Sequence, residues 1–120
     1  MEQSDNKLVD ISVSFAVEIL DLTKLLKGRH ETVICNQIGR SGTSIGANIH
    51  EAQYAHSKAD FISKLQIALK EANETSYWLL LLSKTDVIDN AEYDRLENLC
   101  RKIRIALIAS INTAKGNTKQ

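Results

Sequence analysis

The chain reads as an all-α protein, an antiparallel up-down-up-down four-helix bundle, and three observations lead there. Proline is absent from all 120 residues, where average usage of about 5% would place roughly six, and proline is the residue that ends helices and stiffens loops. Only five glycines and an aromatic content of 5% point the same way. Apolar residues recur at three- and four-residue steps through four separate stretches, the period of a helix with one buried face.

The first helix is expected over 8–27, where Leu8, Ile11, Phe15, Ile19, Leu22 and Leu26 carry that rhythm. Gly28 is placed to end it as a left-handed residue. A second helix over 31–54 follows Ile34, Ile38, Ile45, Ile49 and Ala52. The third, over 58–84, has the clearest start: Ser57 and Asp60 have the spacing of a capping pair just before Phe61 and Ile62. Asp89 and Glu92 repeat that spacing for a fourth helix over 90–115, which runs through Leu96, Cys100, Ile103, Leu107 and Ile111 and ends near Lys115-Gly116. Residues 1–6 and 117–120 are expected to fray. No linker, repeat or low-complexity tract interrupts the pattern, so 1–120 is expected to be one domain.

Composition excludes several functions. Fifteen basic residues balance fifteen acidic ones, which argues against a dedicated non-specific nucleic-acid binder without excluding a basic face. Cys35 and Cys100 lack metal-ligand spacing and fall among apolar neighbours, so both are expected as buried free thiols. The polar start is no signal peptide. The longest apolar run, Tyr77 to Leu82, is far short of the ~20 residues that span a bilayer. A cytoplasmic protein with no membrane association is the expectation.

Two stretches carry more apolar surface than one core can use. Successive helix residues are about 100° apart, so Trp78-Leu79-Leu80-Leu81-Leu82 points apolar groups in every direction, and Ile105 to Ile108 nearly does. The third and fourth helices are therefore expected to be buried again between subunits of a homo-oligomer.

The segment from Asn36 to Glu51 is polar and glycine-rich inside an otherwise helical region. Each mid-helix glycine costs about 1 kcal/mol relative to alanine, so Gly39, Gly42 and Gly46 need a compensating role, and close helix approach supplies one. Arg40, Ser44, Asn48 and Glu51 fall at steps of four, four and three on one stripe, with Ser41 in the row beside it. A structural polar network is expected in which Arg40 meets a carboxylate: Glu51, Glu71 or Glu74. Catalysis finds little footing. His50-Glu51 lacks a second histidine at position 54, Glu71 and Glu74 lack the histidine of a di-iron bundle, and Gly39-x-x-Gly42 is no phosphate loop. No enzyme, cofactor or metal site is expected. In the fourth helix, acids crowd the start and Arg101, Lys102, Arg104 and Lys115 hold the end. The helix dipole accounts for that arrangement, and an electrostatic binding surface does so as well.

Taken together, Gln37-Ile-Gly-Arg40-Ser41, Asn48-Ile49-His-Glu51, Ser57-x-x-Asp60-Phe61 and Glu71-Ala-x-Glu74-Thr75-x-Tyr77-Trp78-Leu79 resemble a bacterial family labelled 23S rRNA intervening sequence proteins. The resemblance covers about residues 8–112. It implies a four-helix bundle assembled as a ring-shaped homopentamer, similar in fold to the accessory variability protein of diversity-generating retroelements, which binds nucleic acid and a reverse transcriptase. It implies no catalytic role for the matched polar residues. The usual Glu-Gly after the Asn motif is Glu51-Ala52 here, which leaves the end of the second helix open. The function expected is a non-enzymatic oligomer that binds RNA or DNA through a basic surface including Arg101, Lys102 and Arg104. The alternative is a scaffold for a protein partner.

Overall fold

A computed structural model describes residues 3–116, with side chains from Lys7 onward. Four helices follow one another: α1 (Gln3–Gly28), α2 (Val33–Ala52), α3 (Lys58–Lys84) and α4 (Asn90–Lys115). Each packs on its neighbours in sequence, and α1 closes the circuit against α4; among the described residues the backbones of the diagonal pairs do not come close. The core is one apolar cluster along the axis, in which Phe15, Ile19, Ile38, Ile45, Leu65, Leu79, Leu96, Ile103 and Leu107 are almost wholly buried. No described helix is long and apolar enough to cross a membrane.

The helix starts behave as their local chemistry dictates. Ser57 Oγ accepts the Asp60 N–H at 3.0 Å, and the Asp60 carboxylate reaches back to the His56 N–H at 3.1 Å. Asp89 Oδ1 accepts the Glu92 N–H at 2.8 Å. The bonds to Asp60 N and Glu92 N satisfy donors that the first helical turn leaves without a partner, while the bond from His56 N fixes the residue that leads into α3.

The helix ends depart from expectation. α1 runs through Gly28, and the left-handed residue is His30, with φ of 62°. The Glu31 N–H then closes onto Leu26 O at 2.9 Å, a bond pattern that terminates helices. Asp86, also at φ 62°, ends α3 in the same way, with the Val87 N–H on Leu82 O at 2.9 Å. Only α4 ends on a left-handed glycine, Gly116. α2 is shorter than expected at both ends: the turn through His30 delays its start, and it gives way after Ala52 to a turn at Gln53 and Tyr54. Gln3 to Asn6 are helical and belong to α1; residues 1–2 and 117–120 lie outside the described residues.

The glycines of α2 explain its close seat on α1. A Cβ at Gly42 would stand 2.8 Å from Ile19 Cγ2, and one at Gly46 would stand 3.3 Å from Ser12 Oγ. At Gly42 a side chain would force Ile19 or the helices to shift, and at Gly46 it would make a tight contact that Ser12 must yield to by a few tenths of an ångström.

Candidate functional site: the α2–α3 polar seam and the basic half of α4

The predicted network forms between α2 and α3, with a narrower membership. Arg40 reaches across to two carboxylates one turn apart, with Nη2 2.5 Å from Glu74 Oε2 and Nη1 3.4 Å from Glu71 Oε1. Glu74 Oε2 also accepts the Trp78 indole N–H at 3.1 Å. Beneath this half-exposed ion pair lies a buried layer. Ser41 Oγ and Thr75 Oγ1 are 2.8 Å apart, both fully buried. Thr75 gives its only hydroxyl proton to Glu71 O at 2.8 Å, so Ser41 is the donor to Thr75. A buried polar pair of this kind aligns the two helices because a shifted register leaves both groups without partners.

Three expected members stand apart. Ser44 donates to Arg40 O, and Asn48 donates to Ser44 O, both within α2. Glu51 pairs with Lys64 at 3.1 Å instead of with Arg40. Short polar side chains on a helix surface bond readily to the carbonyl one turn back, and no stripe pattern distinguishes that from a cross-helix contact.

The basic half of α4 divides as well. Arg101 is exposed and donates to Asn98 Oδ1 at 3.4 Å, and Lys102 is exposed. Arg104 is a brace rather than a surface cation: its side chain is 19% exposed, it meets Glu97 Oε2 at 3.0 Å, and it donates to Ser76 of α3. Ser76 in turn donates to the Cys100 sulfur, and burial pushes the Cys100 thiol above its ordinary range. Both cysteines are free and buried. Arg95 ties α4 to Glu18 of α1 at 2.9 Å and to Glu92 at 3.0 Å, and those carboxylates hold its guanidinium even more firmly protonated.

Two solvent-open clefts flank these seams. One of about 420 Å³ opens where α1 ends beside α4, between Arg29, Asp89, Glu92 and Arg95. One of about 250 Å³ lies over Gly39, edged by Leu20, Thr23, Lys27 and Arg40. Among the described residues no three His, Cys, Asp or Glu side chains converge as a metal set.

One feature escaped the sequence reading. α1 presents Val13, Val17 and Leu20 to solvent, each about half exposed. The signal was a second apolar row at steps of four and three, offset from the core row.

The fold and seam define a class: a four-helix bundle whose polar residues serve helix-to-helix alignment. Residues 4–109 match the family model described as 23S rRNA-intervening sequence protein, and the chain belongs to that family. A solved structure from Bacteroides thetaiotaomicron, described as a protein of unknown function from the S23 ribosomal protein family, is 51% identical. The similarity covers 92% of this chain and 99% of that one, with a TM-score of 0.89. No curated protein gave a significant match.

Proposed function

We propose that the protein is a non-enzymatic, self-assembling helical bundle that acts as a scaffold. One observation carries this reading: large apolar side chains stand in solvent on several outer faces, among them Val17, Tyr77, Ile105 and Ile108. Scattered exposed apolar residues are ordinary, but rows at helical spacing mark surfaces that another protein covers. The buried, unpaired thiols fit a reducing cytoplasm. Size exclusion with light scattering tests it. The expected mass is a multiple of 13.4 kDa, fivefold if the ring implied by the family resemblance forms. A strict monomer overturns the reading.

A second reading is weak RNA or DNA binding at the end of α4, favoured by the exposure of Arg101 and Lys102. Phosphate contacts of that sort weaken steeply with salt. Arg101→Glu with Lys102→Glu is the variant to use, since Arg104 is occupied by Glu97 and Ser76. Retention on labelled RNA that ignores both salt and the double reversal removes this reading.

A further inference from the structure

The four seams of the bundle are not equally well held. α1 sits on α2 through glycines that let the backbones approach. α2 and α3 share the buried Ser41–Thr75 pair, and α3 and α4 share the buried contact of the Cys100 sulfur with Ala72 O. The α1–α4 seam is the sparsest of the four. On α1, Glu18, Leu22, Leu25 and Arg29 fall at steps of four, three and four, one stripe of a helix. Glu18 meets Arg95 of α4 at 2.9 Å. Because the two helices run antiparallel, seven residues further along α1 Leu25 comes opposite Ile88, and both line the cleft of about 420 Å³. α4 presents Ala91 to that cleft, a side chain too small to fill it, and Leu25 is left 45% exposed.

Polar fastenings stand at both ends of this stripe. One is the Glu18–Arg95 ion pair, whose side chains are 36% and 48% exposed. The other is Arg29, which donates through Nη1 to the Val87 carbonyl at 2.6 Å. Local folding places both of its ends: Arg29 immediately precedes His30, the left-handed residue that closes α1, and Val87 immediately follows Asp86, which closes α3 in the same way. Both fastenings face solvent, where water competes for the same groups and the net contribution is small. Few buried contacts and solvent-facing bonds are the marks of a region that opens locally.

We infer that this half of the bundle works as a latch: α1 from Glu18 to Gly28 parts from the start of α4, and Glu18–Arg95 with Arg29–Val87 holds it shut. The opposite side of the same stretch stays anchored, since Ile19 rests on Gly42 and Thr23 closes on Gly39 of α2. Opening therefore widens the existing cleft instead of releasing α1 altogether. It uncovers Leu22 and Ile88, which are 3% and 5% exposed in the closed form. The latch belongs to a single chain and does not depend on the assembly reading above.

Hydrogen exchange read by mass spectrometry on the full chain tests it. In wild type, amides of residues 20–26 and 93–96 are expected to exchange sooner than those of 38–49 in α2 and 65–79 in α3. Glu18→Gln and Arg29→Met each remove one fastening outside the core, so two independent variants are at hand should one misfold. Each is expected to speed exchange on both sides of the seam by about two- to fivefold and to leave 38–49 unchanged. Combining them is expected to multiply the two factors. Wild-type protection that is equal along all four helices overturns the latch. So does a variant that speeds all four helices alike, one that changes nothing, or one that speeds α1 alone, which is the fraying of a single helix end.

Discussion

Ile19 of α1 packs on the bare backbone of Gly42 in α2, so closely that a methyl group at Gly42 would stand 2.8 Å from Ile19 Cγ2 and 2.9 Å from Cγ1. Gly28, still in α1, has nothing within 4 Å of its missing Cβ. Gly42→Ala gains up to about 1 kcal/mol of helix propensity, yet overpacking a tight interface costs about 1–3 kcal/mol. The collision is with branched carbons of a fully buried side chain, so overpacking wins. Urea denaturation is expected to show Gly42→Ala destabilised by about 1–2 kcal/mol, with Gly28→Ala neutral or stabilised by up to about 1 kcal/mol. Equal effects at the two sites would remove the close-approach account of the α2 glycines.

Ser41 and Thr75 form the buried hydroxyl pair of the α2–α3 seam. Thr75→Val keeps the shape and leaves the Ser41 hydroxyl without its acceptor, which costs about 1–3 kcal/mol. Ser41→Ala in the same background removes the stranded group. The double variant is therefore expected to be more stable than Thr75→Val alone, with a coupling energy of about 1 kcal/mol in the mutant cycle. Strict additivity would mean that the two hydroxyls do not act on each other.

What the sequence disclosed and what it withheld divide by the range of the interaction. Ser57 with Asp60 and Asp89 with Glu92 are local, each bond spanning three residues, and both helix starts were legible from spacing alone. The end of α1 is nearly as local, but Gly28, Arg29 and His30 compete for the left-handed position, and His30 takes it although glycine adopts that conformation more freely. The seam was half legible. A helical stripe shows that Arg40 needs a carboxylate; it does not show whether Glu51 on its own helix or Glu71 and Glu74 on the next will answer. Glu51 was diverted by Lys64, a residue of α3 that spacing within α2 cannot reveal. Arg104 looked like its neighbours in α4, and only the approach of Ser76 from α3 sets it apart.

Arg40 anchors the outer layer of the seam, but its side chain is 53% exposed, so solvent weakens its pairing with Glu71 and Glu74. Arg40→Met is expected to lower stability by no more than about 1 kcal/mol. Local geometry responds more strongly, because Glu74 Oε2 holds both Arg40 and the Trp78 indole. The emission of Trp78, the single tryptophan, is therefore expected to shift in the folded state while helical content is unchanged. Unaltered stability and unaltered emission together would show that Arg40 is a solvated surface residue and not part of the network.

Cys100 and Tyr93 lie near the Arg104 brace, and their protonation makes the bundle sensitive to alkali. Burial raises the Cys100 thiol above its ordinary 9.0, while Ser76 and Arg104 oppose the rise and Glu97 adds to it. Burial also raises the Tyr93 phenol above 10.0, with Glu97 and Asp94 adding to the effect and Arg104 opposing it. A group that holds its proton more tightly when folded contributes stability below its unfolded pKa and loses it as pH rises through the folded value. The Cys100 contribution is thus complete below about pH 9 and declines above it; that of Tyr93 declines from about pH 10. Urea midpoints are expected to be flat from about pH 7 to 8.5 and to fall beyond pH 9. Cys100→Ala should show a shallower fall over the first part of that range, on top of a uniform loss from the smaller side chain. A midpoint that rises above pH 9, or a Cys100→Ala profile parallel to wild type throughout, would mean that the buried thiol is not coupled to folding.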